Sequence, residues 1–74
     1  MPKLPTISGK DLVKAFIRLG YKIDHQTGSH IILRHKEPPH RRLTIPNHND
    51  LSKGTLRAII RQAGLSREEF FKII

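Results

Sequence analysis

The chain has 74 residues, with 14 Lys plus Arg against 6 Asp plus Glu, five His and no Cys, for a formal net charge of +8. That length holds one small domain, 1–74, with a thin core and no deep enclosed pocket, and the lack of cysteine excludes a disulfide scaffold and every thiolate metal site. No apolar run approaches the roughly 18 residues of a membrane span and no hydrophobic signal core opens the chain, so the excess of cations points to a polyanionic partner met in the cytoplasm.

In chain order, Ser8-Gly9-Lys10-Asp11 has the pattern of a capping box, and Leu12, Val13, Phe16 and Leu19 follow at helical spacing up to Gly20. A helix is predicted over Gly9 to Leu19. Tyr21 to Gln26 alternates as a strand, Thr27-Gly28 turns the chain, and Ser29 to His35 is a second strand rich in β-branched residues. Lys36 to His40 holds Pro38-Pro39 and is a loop, after which Arg41 to Ile45 forms a third strand ended by Pro46. Beyond the polar loop Asn47 to Asp50, Ser52 caps a second helix whose Leu56, Ile59, Ile60 and Ala63 fall at i, i+3, i+4 and i+7, closed by Gly64. Ser66-Arg67-Glu68-Glu69 opens a short C-terminal helix carrying Phe70, Phe71, Ile73 and Ile74. The expected fold is an α+β sandwich, α-β-β-β-α plus a short helix, whose helices cover one face of an antiparallel sheet and leave the other open.

The length of the first hairpin loop decides which side chains share that open face, because a slip of one residue exchanges the faces of a strand. A two-residue Thr27-Gly28 turn would put Ile31 and Leu33 beside Lys22 and Asp24, a poor division of polarity. A three-residue loop, Gln26-Thr27-Gly28, puts Gly28 where a left-handed residue is needed and gathers Tyr21, Ile23, Ile31, Leu33, Leu43 and Ile45 on the core side. The second register is preferred. It leaves Lys22, Asp24, His30, Ile32, Arg34, Arg42 and Thr44 on the open face, with Asp24 across from His30. A carboxylate beside an imidazole holds the ring in orientation, and histidine can exchange a proton with a reacting oxygen near neutral pH. On spacing alone, the ordinary reading of such a histidine is a polar residue on a solvated face.

His25, His30, His35 and His40 recur every five residues, a spacing that brings no two neighbours to one metal, and no His-x-x-x-His helical pair exists. No metal and no cofactor are expected. His48, in the loop before the second helix, is a candidate to approach the sheet from there. Lys10, Lys14 and Arg18 on the first helix, and Lys53, Arg57 and Arg61 on the second, form i, i+4, i+8 stripes. One stripe is an ordinary solvated face. Two, together with Arg34, Lys36, Arg41 and Arg42 on a chain poor in acids, describe an extended phosphate-binding surface. Ser52-Lys53-Gly54-Thr55 adds free amides, a Lys and two hydroxyls at a helix N-terminus. Tyr21 and the three Phe fall on core faces, so recognition by backbone charge and shape is favoured over base stacking.

Gly20-Tyr21, Gly28-Ser29-His30, Pro46-x-His48, Lys53-Gly54-Thr55-Leu56-x-x-Ile59 and Ala63-Gly64-Leu65-Ser66 with Glu69-Phe70 together resemble the HicA (YcfA-like) toxins of toxin-antitoxin pairs, across nearly the whole chain. The resemblance implies a fold similar to double-stranded-RNA-binding domains. It further implies a type II toxin that is a metal-independent endoribonuclease, an mRNA interferase, neutralised by a HicB-type antitoxin. The family's catalytic histidine carries over to His30, and Gly28 and Ser29 become the turn presenting it. Within that reading His48 and Asp24 are the candidate acid, base or orienting partners, and Gly28, Ser29, Arg34, Arg42, Lys53, Thr55 and Arg57 the RNA-binding set. The Lys36 to Arg42 loop with its Pro-Pro pair departs from the family pattern. The alternative is a non-catalytic double-stranded-RNA-binding module with the same fold.

Overall fold

Ser8 opens the first helix by accepting the Asp11 N–H on its hydroxyl, and α1 runs Gly9–Arg18, its last turn closed at Leu19 before Gly20 at φ +101°. The computed structural model describes residues 3–74. Three strands follow, β1 (Tyr21–Thr27), β2 (His30–His35) and β3 (Arg42–Pro46), as an antiparallel sheet in the order β1-β2-β3. Ser52 then caps α2 (Lys53–Gln62), and Ser66 and Glu69 complete a reciprocal capping box at the start of α3 (Arg67–Ile73). This is the α+β order read from the sequence, short C-terminal helix included, with boundaries moved by one residue or so.

The helices lie on one face of the sheet. Leu12, Val13 and Phe16 of α1, Leu56, Ile59 and Ile60 of α2 and Phe70 of α3 meet Tyr21, Ile31, Leu33, Leu43 and Ile45 in a single buried cluster. Phe70 is fully buried, so this seven-residue helix is held as much by one aromatic anchor as by its cap. Truncating such a side chain costs about 3–5 kcal/mol, a large part of the ~5–15 kcal/mol that holds a small domain folded.

The hairpin register departs from the expected one. Thr27 pairs with His30, leaving a two-residue loop of Gly28 and Ser29 with Gly28 at φ +55°, and a bulge interrupts the ladder between Ile23 and His25. Asp24 is the extra residue. One inserted residue reverses the parity of the strand beyond it. Tyr21 therefore stays on the core side while His25 and Thr27 turn to the open side, and both demands that seemed to require a longer loop are met. Ile23 was expected in the core but is 53% exposed, because it sits on the edge strand beyond the cover of the helices.

Candidate functional site

The open face is ordered in three cross-strand rows. Lys22, Arg34 and Arg42 form one, His25, Ile32 and Thr44 the next, and Thr27, His30 and Pro46 the third. Successive rows lie two residues apart along the strands, about 7 Å. His30 is exposed at the end of the face, and Ile32 at its centre is only 6% exposed although no helix covers it. The first row sets three cations side by side, an arrangement that costs stability because like charges directly opposite repel. Such a row is suited to a bound anion.

Asp24 does not face His30; Thr27 does. The Asp24 carboxylate instead accepts from Nδ1 of His25 at 2.9 Å, and this bond, aided by Arg34, His25 and Arg42, holds the carboxyl below its ordinary range. Asp24 thus belongs to the same face as the arginine pair but orients a different histidine. The expectation failed because it rested on unbroken alternation through the bulge. His25 is the side chain that sequence reasoning missed, since nothing in Ile23-Asp24-His25-Gln26 signals an inserted residue.

His30 is placed by backbone contacts at the hairpin end. The Asn47 N–H donates to the Ser29 carbonyl at 2.6 Å, which ties the loop after β3 to the residue before His30. The Gly9 N–H donates to the His48 carbonyl at 2.9 Å, joining that loop to the start of α1. A Cβ on Gly9 would lie 2.0 Å from the Pro46 carbonyl oxygen, so glycine is required where helix and strand end meet. The His48 side chain is exposed in this loop and its backbone does the anchoring.

Two other histidines are structural. His35 accepts the Glu37 N–H on Nδ1, which leaves Nε2 to donate to the Leu19 carbonyl at 3.0 Å, and its ring stands edge-on to Tyr21 with centroids 4.8 Å apart. Tyr21, buried between His35 and Phe16, has its phenol pushed up by burial, partly offset by Arg41. His40, in the left-handed region at φ 57°, donates from Nδ1 to the His35 carbonyl. Among the described residues no three His, Asp or Glu side chains gather as a metal-binding group.

Lys53, Thr55 and Arg57 are not brought to the sheet face. The Lys53 ammonium donates to the Leu4 carbonyl, and Lys53 and Arg57 line a groove with Lys3, Leu4 and Arg67 on the helical layer. The Thr55 hydroxyl accepts from Ser52 Oγ within the cap. The cations of the open sheet and those around α2 therefore belong to separate surfaces.

No helix among the described residues is long and apolar enough to cross a membrane. A comparison with curated proteins returned no match. A family model described as the HicA toxin of bacterial toxin-antitoxin pairs matches residues 9–65, a span running from the glycine that packs on Pro46 to the turn after α2 and including the whole sheet. The chain belongs to the HicA family of bacterial toxin-antitoxin toxins, whose members act beside a cognate antitoxin.

Proposed function

We propose that this toxin is an mRNA-cleaving endoribonuclease that works on the open face of the sheet in the cytoplasm, and that a HicB-type antitoxin neutralises it by covering that face. The observation that carries the reading is the placement of exposed His30 on the same face as the Lys22, Arg34 and Arg42 row. A polymer laid along the face meets cations at one end and an imidazole at the other. A shallow site of this kind suits a long substrate that an enclosed pocket would exclude.

His30 takes the proton of a ribose 2′-OH as that oxygen attacks the adjacent phosphorus, which confines cleavage to RNA. Gly28 and Ser29 form the loop that presents His30. Arg34 and Arg42, four residues along the strands from the His30 row, are about 13 Å of strand away and hold a flanking phosphate, not the scissile one. Lys53, Thr55 and Arg57 extend the basic surface onto the helical layer for RNA beyond the sheet. The chemistry requires no metal and no cofactor.

The test is incubation of purified protein with single-stranded RNA in EDTA, with the termini analysed. New ends carrying 2′,3′-cyclic phosphate and 5′-hydroxyl are expected, and His30→Ala should remove them, along with growth inhibition, while the fold persists. Binding without new ends, and tighter binding to a duplex of the same RNA, would identify a double-stranded-RNA-binding module instead. Full cleavage by the variant would overturn the role of His30.

A further inference from the structure

A transesterification of this kind needs two proton transfers, and His30 supplies one. As the 2′-oxygen forms its bond to phosphorus, the P–O5′ bond breaks and its electron pair leaves on the 5′-oxygen. That oxygen must be protonated to depart as an alcohol. The second group must lie on the same face, be open to solvent, and stand roughly one phosphodiester away from the first.

His25 meets these conditions. It pairs with Ile32, so it lies diagonal to His30 on the neighbouring strand. Diagonal neighbours in an antiparallel pair are about 7–8 Å apart, room for one phosphate between two rings whose nitrogens each approach an oxygen to about 3 Å. The His25 side chain is 47% exposed. Its Nδ1 is committed to the Asp24 carboxylate at 2.9 Å, so Nε2 is the atom left to meet a substrate. The carboxylate also compensates the imidazolium that an acid must be before it gives up its proton.

Resting on the endoribonuclease reading above, the geometry points to His25 as the general acid of the cleavage, with Asp24 as its positioning residue. His30 accepts the 2′-OH proton and the Nε2–H of the His25 imidazolium goes to the 5′-oxygen, leaving a 2′,3′-cyclic phosphate and a 5′-hydroxyl. The two rings then hold each other's starting protonation and are reset by exchange with water. Asp24 stays ionised throughout, consistent with a carboxyl held below its ordinary range chiefly by the His25 hydrogen bond. The β-bulge acquires a purpose in this scheme. Were β1 to run through Asp24 as a regular strand, with no bulge, His25 would point to the core side with Ile23, and the face would carry one histidine.

Neither His48 nor Thr27 fits as well. His48 stands in the loop after β3, off the cross-strand rows, and is tied there by the Gly9 N–H that donates to its carbonyl, and Thr27 is a hydroxyl, a poor proton donor to an alkoxide at neutral pH.

The test uses one oligoribonucleotide with a mapped cleavage site, made with either oxygen or sulfur as the 5′-bridging atom. A thiolate leaves without a proton, so only the oxygen substrate needs an acid. His25→Ala should lose about 10²–10⁴-fold on the oxygen substrate and stay within about tenfold of the parent on the sulfur one. Asp24→Asn should follow the same pattern with a smaller loss. His30→Ala should lose on both substrates. Circular dichroism and urea midpoints of each variant establish that the fold is kept. Loss by His25→Ala that is equal on both substrates, no loss on either, or leaving-group dependence that appears in His30→Ala or His48→Ala would overturn the assignment. A parent protein that cleaves neither substrate would overturn the endoribonuclease reading itself.

Discussion

Arg34 and Arg42 face each other directly across β2 and β3, with Lys22 on the other side of Arg34. No acidic residue stands opposite them in the row; the nearest compensation described is the Asp24 carboxylate, which both arginines help to keep ionised. Stability and anion binding pull in opposite directions at this row. Replacing Arg42 by Thr, a good strand residue, should raise stability by a few tenths of a kcal/mol to about 1 kcal/mol by relieving repulsion. The same change should weaken binding to single-stranded RNA and lower the slope of log K against log salt by about 0.7, one phosphate contact. Urea midpoints and salt-titrated binding measure the two effects; a variant that binds as tightly with an unchanged slope would remove Arg42 from the interface.

His35 should behave as the reverse of His30. Replacing it by Ala removes the donor to the Leu19 carbonyl, the acceptor of the Glu37 N–H and the edge contact with Tyr21. The expected cost is about 2–3 kcal/mol, since partly buried groups are left without partners. Cleavage by the fraction that remains folded should be unchanged. A stable variant with lost cleavage would make His35 part of the chemistry and contradict this division.

The parity of β2 and β3 was legible because Ile31, Leu33, Leu43 and Ile45 alternate without interruption and only one face assignment buries all four. Helix ends were legible for a similar reason: Ser8, Ser52 and Ser66 are each a hydroxyl residue placed just ahead of an apolar period, and each accepts an N–H three residues on. β1 was not. From Asp24 to Thr27 it is polar at both parities, so hydrophobic alternation carries no register information there and the bulge leaves no mark in residue type. The stripe of Lys53, Arg57 and Arg61 could be read as a stripe, but its position on the helical layer beside Leu4 and Leu65 depends on long-range packing.

Gly9 and Gly54 give a contrast that decides between helix propensity and packing. Both lie in the first turn of a helix, where alanine is intrinsically favoured by up to about 1 kcal/mol. A Cβ on Gly54 meets nothing within 4 Å, so Gly54→Ala should stabilise by a few tenths of a kcal/mol to about 1 kcal/mol. A Cβ on Gly9 meets the Pro46 carbonyl oxygen at 2.0 Å, and backbone cannot swing aside as a side chain does. Gly9→Ala should cost about 3 kcal/mol, the upper part of the range for overpacking. Because that contact also ties α1 to the loop behind Ser29 and His30, its RNA cleavage should fall even where folding is restored by osmolyte. Equal urea midpoints for the two variants would show that α1 is free to move away from β3.

The pH dependence of stability should report the capping box of α3. Glu69 is held below its ordinary carboxyl range, first by the Ser66 backbone N–H that donates to its carboxylate and then by the Ser66 side chain. A carboxyl with a lower pKa in the folded than in the unfolded state binds fewer protons when folded. Its stabilisation is therefore fully present above the unfolded value and disappears as pH falls through the folded one. The Glu69 contribution should thus be constant from neutrality down to the ordinary glutamate range near 4.5 and decline below it. Asp24, lowered by His25, gives a decline of the same sign, so the wild-type curve alone does not separate them. Glu69→Gln keeps a side-chain acceptor without the titration and should flatten the Glu69 part of the decline, leaving that of Asp24; the double variant with Asp24→Asn should flatten both. Ser66→Ala should instead lower the whole curve by about 1 kcal/mol, the usual worth of an N-cap, because it removes the hydroxyl at every pH. Because fully buried Phe70 lies on the same short helix, loosening of α3 in acid should appear as exposure of apolar surface and increased binding of a hydrophobic dye before the sheet is lost. Dye binding that rises only together with loss of the sheet would mean that α3 is held by Phe70 alone and that the cap contributes nothing separable.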